Sequence, residues 1–207
     1  MALVKICGIT NLDDALAAVD AGADALGFNF YPRSLRYITP DMARAISDRL
    51  PNGVLTVGVF VNEELESVQE TASAAGISAL QLHGTESPEY CKALKGRYLI
   101  KVFGTGSDFK PENVLEYDVQ AVMLDAFDAE RFGGTGNLSN WAIARQTMEL
   151  FQTVFLAGGL SPENVAQAID QVDPYAVDAC SSIERAPGLK DHVRMRAFIA
   201  AAHKPTA

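Results

Sequence analysis

Eight times along this chain a short apolar run gives way to a longer segment with helical spacing, and no other feature restricts the fold as much. The first run is Leu3-Val4-Lys5-Ile6-Cys7. The segment after it opens at Thr10-Asn11 and places Leu12, Leu16 and Val19 on one helical face. Thr10 or Asn11 can accept from the free N–H groups of the first turn, and Gly22 can take the left-handed conformation that ends a helix. Residues 25–28, 54–61, 78–82, 98–103, 121–124, 153–157 and 175–178 read as the other strands. Between them the spacing predicts helices over 40–50, 63–74, 88–94, 140–149, 162–171 and 191–202, with a weak one after Pro111.

Eight strand–helix units predict an α/β chain folded as a (β/α)8 TIM barrel of eight parallel strands. Strands of such a barrel are buried on both faces, which explains runs that are apolar rather than alternating. A doubly wound open sheet is the rival, but no G-x-G-x-x-G opens the first helix. No linker or low-complexity stretch divides the chain, so residues 1–207 read as a single catalytic domain, with 203–207 as a loose tail. The 26 acidic and 17 basic residues give a net charge of −9, which speaks against non-specific nucleic-acid binding but leaves room for a locally positive pocket. Three cysteines without a pairing pattern, no signal-peptide pattern and no run near the roughly 20 apolar residues of a membrane helix make the cytoplasm the expected compartment. No membrane partner is expected, and the oligomeric state is not legible.

Active sites of these barrels lie at the C-terminal ends of the strands. The polar residues there are Cys7, Arg36, His83, Asp125, Asp178, Ser181 and Ser182, with glycine loops at Gly133-Gly134 and Gly158-Gly159. Gly158-Gly159 leads into Ser161-Pro162-Glu163, read as a helix start with proline in its first turn. Glycines let backbone N–H groups approach an anion, and the loops after strands seven and eight often hold phosphate in this fold. Ser181 and Ser182 add donors, although ordinary turn residues would look the same. A cysteine in a strand is usually a small buried hydrophobe. Cys7, however, ends the first strand, and Lys5 leaves it on the same face, where an ammonium favours the thiolate. Asp125 closes an apolar run, either as a cap or as an acid whose burial favours the proton-donating form. Arg36 carries a fork that suits a carboxylate, against the commoner fate of a solvated arginine. His83 is the one histidine at a strand end, where a structural hydrogen-bonded role is common.

Taken in order, the motifs resemble the phosphoribosylanthranilate isomerases. They are Lys5-Ile6-Cys7-Gly8-Ile9-Thr10, Gly27-Phe28 with Tyr31-Pro32-Arg33-Ser34, Arg36-Tyr37-Ile38 and Gly58-Val59-Phe60-Val61-Asn62. Gln81-Leu82-His83-Gly84, Leu124-Asp125, Phe132-Gly133-Gly134-Thr135-Gly136, Leu156-Ala157-Gly158-Gly159-Leu160 and Pro187-Gly188-Leu189-Lys190-Asp191 follow. The resemblance spans essentially the whole chain. It implies an Amadori rearrangement of N-(5′-phosphoribosyl)anthranilate in tryptophan biosynthesis, with no metal and no cofactor. It places Cys7 on the general base, Asp125 on the general acid and Arg36 on the holder of the anthranilate carboxylate. Gly158, Gly159, Ser181, Ser182, Asp178, His83 and Gly134 are the further expected substrate contacts. One departure stands out. The family often reads Ser-Ser-Gly-Val-Glu after strand eight, where this chain has Cys180-Ser181-Ser182-Ile183-Glu184.

Two other readings compete: another phosphate-binding barrel enzyme, either a sugar-phosphate epimerase or the related histidine-pathway isomerase, and a non-catalytic barrel. A sugar-phosphate epimerase is expected to carry metal-binding His and Asp at several strand ends, where only His83 is on offer. The related histidine-pathway isomerase is expected to use paired aspartates, one of them where Cys7 stands. A non-catalytic barrel that binds a phosphorylated ligand would have no use for both Cys7 and Asp125.

Overall fold

The computed structural model describes residues 1–126 and 140–204. Gly134 and its loop, and the last three residues of the expected tail, lie outside the described residues. Eight parallel strands close into a barrel in chain order, with β8 paired back onto β1. The strands are β1 Leu3–Cys7, β2 Ala25–Asn29, β3 Leu55–Phe60, β4 Ala79–Leu82, β5 Tyr98–Gly104, β6 Ala121–Asp125, β7 Val154–Leu156 and β8 Ala176–Ala179. The helices are α1 Leu12–Asp20, α2 Pro40–Ser47, α3 Leu65–Ala75, α4 Pro88–Ala93, α5 Trp141–Leu150, α6 Val165–Val172 and α7 His192–Ala202. The weak segment after Pro111 is a 3-10 helix, Pro111–Glu116. No described helix is long and apolar enough to cross a membrane.

The helix starts follow capping chemistry. Asn11, not Thr10, caps α1, its side chain accepting from Asp14 N at 2.9 Å. Thr10 instead donates its hydroxyl to the Gly188 carbonyl. Thr39 before Pro40, Ser87 before Pro88 and Asp191 cap α2, α4 and α7 in the same way. The helix expected from residue 162 begins only at Val165. Asn164 accepts from Ser161 N (2.8 Å) and donates to the Gly159 carbonyl (3.0 Å), which keeps residues 161–164 as a turn. A hairpin after β8, β9 Glu184–Ala186 against β10 Leu189–Lys190, has no counterpart in the sequence reading because each strand is too short to show a period.

Side chains along a strand alternate between barrel interior and helical layer. Leu26, Leu80, Leu82, Val122 and Leu124 point outward into the larger apolar core beneath the helices. Ala25, Val57, Ala79, Ile100, Met123, Phe155 and Ala176 point inward, small residues alternating with large ones. Lys5, Cys7, Gln81, Asp125 and Asp178 share the inward parity. Each large apolar side chain taken from water contributes about 1.5–3 kcal/mol. An unpaired ion in that interior would cancel several of them, so the inward charges must be paired.

Candidate active site

Cys7 is the last residue of β1, and its sulfur occupies a slot that Gly27 of β2 leaves open. A Cβ on residue 27 would lie 2.8 Å from the sulfur and 3.2 Å from Lys5 Nζ. Lys5 is fully buried and meets Asp178 Oδ1 at 2.7 Å, in register with it across β1 and β8. Both members of the pair are shifted upward, which favours the charged form of Lys5 but the neutral form of Asp178. The Lys5 ammonium is held above its usual range against the opposing pull of burial, by Asp178 and then Cys7. Burial pushes Asp178 up to about 6 against the pull of Lys5. The 2.7 Å contact decides: an ammonium that close, on a base so stabilised, marks an ionised carboxylate at neutral pH.

The Cys7 thiol is held well below its ordinary range. The hydrogen bond with the Cys180 thiol does most of this, and the Lys5 and Lys190 ammonium groups add to it, while burial opposes. The same hydrogen bond, with burial, pushes Cys180 up, so of the two thiols Cys7 is the one that ionises. Lys190 reaches the site from β10. Its Nζ donates to the Cys7 carbonyl (2.6 Å), the Cys180 carbonyl (3.5 Å) and Glu184 (2.9 Å). That ammonium ties the ends of β1 and β8 together.

Asp125 closes β6, 8% exposed. Its Oδ1 accepts from Ala126 N at 2.8 Å, and its Oδ2 lies 3.2 Å from His83 Nε2. Cys7 and Asp125 end parallel strands β1 and β6 of the closed barrel, which puts thiol and carboxyl at one mouth. Beside Asp125 and Asp178 lies a pocket walled by Gly158, Gly159, Ser181 and Ser182. Gly158 has φ +82°, and a Cβ there would collide with the Ala126 backbone nitrogen, so only glycine lets these loops touch. The Ser182 hydroxyl donates to the Leu160 carbonyl, joining the loops after β7 and β8. The proton of that hydroxyl is therefore already engaged within the pocket wall.

Arg36, in the loop after β2, is engaged with Glu184: Nε lies 2.9 and 3.0 Å from the two oxygens and Nη2 2.7 Å from one. The Glu184 side chain is buried and needs two cations, Arg36 and Lys190. The Arg36 fork thus presents its Nη1 side, not a free Nε–Nη2 edge, to any further carboxylate. It lies within charge reach of Cys7 and Cys180, at the same mouth. Among the described residues no group of three His, Cys, Asp or Glu is arranged to hold a metal ion.

Three residues escaped sequence reasoning. Lys190 and Glu184 lie in a hairpin with no periodic signal, and Gln81 reads as one polar residue in an apolar strand. A usable signal existed. Lys5, Gln81 and Lys101 each interrupt an apolar run, and a polar residue on an inward or buried position needs a partner.

A thiol of lowered pKa and a carboxyl beside a glycine-lined pocket, at the mouth of a (β/α)8 barrel, are groups able to move protons on a small molecule, and the fold and site define a barrel enzyme. Known proteins narrow that class. Residues 4–201 match the family model of N-(5′-phosphoribosyl)anthranilate (PRA) isomerase. The N-(5′-phosphoribosyl)anthranilate isomerase of Desulforudis audaxviator is 52% identical over 201 residues, covering 96% of this chain and 97% of that protein. The solved phosphoribosyl anthranilate isomerase of Thermotoga maritima superposes with a TM-score of 0.90 at 45% identity, covering 98% of both chains. A phosphoribosyl anthranilate isomerase in complex with reduced 1-(o-carboxyphenylamino)-1-deoxyribulose 5-phosphate gives 0.86, also at 45% identity and 98% of both chains. The chain belongs to the N-(5′-phosphoribosyl)anthranilate isomerase family.

Proposed function

We propose that this chain converts N-(5′-phosphoribosyl)anthranilate to 1-(2-carboxyphenylamino)-1-deoxyribulose 5-phosphate, the isomerisation step of tryptophan biosynthesis, in a reducing cytoplasm. Asp125 gives a proton to the ribose ring oxygen as the ring opens, leaving a protonated Schiff base. Cys7 thiolate then takes the proton from C2′, and the enolamine tautomerises to the ketone. The adjacent iminium acidifies that C–H, so a thiolate of lowered basicity suffices. The phosphate rests on the N–H groups around Gly158, Gly159, Ser181 and Ser182, and the anthranilate carboxylate meets the Nη1 side of Arg36. Anchoring both ends holds the reacting carbon between acid and base.

The observation that carries this reading is the placement of the Cys7 sulfur, at the end of β1 beside the Lys5 ammonium, at the mouth where Asp125 ends β6, with the thiol pKa held well below its ordinary range. The test mixes the purified chain with anthranilate, phosphoribosyl pyrophosphate and a coupling transferase, and follows the loss of substrate fluorescence. Turnover of the coupled mixture supports the reading. Substrate that persists in the presence of folded protein refutes it and favours a non-catalytic phosphate-binding barrel.

A further inference from the structure

We propose that Gln81 and His83 are positioning residues that fix the Asp125 carboxyl for proton transfer, an inference that rests on the proposed role of Asp125. The three lie in line: Gln81 Nε2 is 2.9 Å from His83 Nδ1, and His83 Nε2 is 3.2 Å from Asp125 Oδ2. Gln81 sits inside the barrel, 1% exposed, on the inward parity shared with Ala79. Its Oε1 is buried with no partner, so the amide does no other visible work there.

The amide orientation selects the histidine tautomer. Turned the other way, the amide would bury an unpartnered NH2 group, which is rarer in proteins than an unpartnered carbonyl. With Nε2 of Gln81 donating, Nδ1 of His83 is an acceptor and its proton sits on Nε2, aimed at Asp125. A proton moved to Nδ1 would meet the amide N–H head on. His83 therefore gives Asp125 a donor.

The consequence bears on the acid step. Ala126 N holds Oδ1 at 2.8 Å and His83 holds Oδ2, so the plane of the carboxyl is set at two points. The remaining lone pairs carry the proton towards the mouth. Once that proton has moved to the ring oxygen, negative charge appears on Asp125, and the His83 N–H is already in place to receive it.

Five variants test this, each checked for folding by thermal melting. His83→Leu removes the donor and is expected to lower kcat about 10- to 100-fold, the value of one hydrogen bond to a charged group. KM should stay within about threefold, since the contact changes only when charge develops. His83→Gln keeps an N–H donor of similar reach and should recover most of the loss. Gln81→Met should lower kcat and let the His83 ring nitrogens, read by 15N NMR, populate both tautomers. Asp125→Asn combined with His83→Leu should be no slower than Asp125→Asn alone, because His83 acts through that carboxyl. A raised KM with kcat kept in His83→Leu would make His83 a substrate contact and overturn the proposal. An unchanged tautomer in Gln81→Met would overturn it too. Near wild-type turnover of Asp125→Asn alone would instead sink the acid role itself, a result distinguishable from the other two.

Discussion

Gly27→Ala is the smallest change that reaches the thiol. The added Cβ would sit 2.8 Å from Cys7 Sγ, 3.1 Å from Cys7 Cα and 3.2 Å from Lys5 Nζ. Non-bonded carbon atoms rest about 3.5–4.0 Å apart, so the sulfur must retreat by roughly 0.7–1.2 Å from the 2.8 Å position. Only rotation or backbone movement can supply that, because Cys7 is paired in register with residue 27 itself. A reacting group displaced by about 1 Å loses about 100-fold in rate, or about 2.7 kcal/mol of transition-state stabilisation. Overpacking costs about 1–3 kcal/mol of stability, and each kcal/mol lowers Tm by about 2–4 °C for a chain of this size. Gly58→Ala on β3 is the control. Its Cβ would crowd Phe60 at 2.9 Å and Phe30 at 3.0 Å, in the outer core away from the thiol. The fluorescence assay should show kcat down about 100-fold in Gly27→Ala and unchanged in Gly58→Ala, with both melting lower. Full turnover in Gly27→Ala would refute the link between sulfur position and rate.

Three further perturbations divide the site by role. Cys7→Ser and Asp125→Asn should each lower kcat by about 10²–10⁴ with KM largely kept, measured at substrate saturation. Arg36→Met should raise KM at least about tenfold and also lower Tm, since it strips one of the two cations from buried Glu184; an unchanged KM counts against the carboxylate contact. Lys101→Met leaves buried Glu86 without its cation, held only by the Asn62 and Gly84 N–H groups where a 2.8 Å ion pair stood, and should cost about 3–5 kcal/mol in urea unfolding. A loss below about 1 kcal/mol would mean that the Asn62 and Gly84 N–H groups suffice to hold the Glu86 charge.

The eight-unit alternation made the barrel legible, since apolar runs and helical spacing are local signals. Cys7 and Asp125 were legible for the same reason: each closes a run, and in a parallel barrel run ends meet at one mouth. The pairing of these residues was not. Lys5 and Asp178 are 173 positions apart and meet only because β8 closes onto β1. Arg36 and Glu184 are 148 apart, and their pairing redirects a guanidinium that the sequence left free for substrate. The late start of α6 was hidden in the Asn164 side chain, which competes with the helix for the Ser161 N–H and the Gly159 carbonyl. Ser182 could be placed beside the loops after β7 and β8 from sequence, but only the fold shows its hydroxyl joined to Leu160.

The proposed reaction depends on the ionisation of one sulfur. Titrate the ultraviolet absorbance of the Cys7 thiolate, as wild type minus Cys7→Ser, and overlay it on the pH dependence of kcat/KM. A lowered thiol pKa means that the thiolate forms, and the rate rises, at a pH below the ordinary thiol value of about 8.5. The two curves should climb together there. A sulfur that titrates at or above the ordinary value while the rate has already reached its plateau would contradict Cys7 as the base.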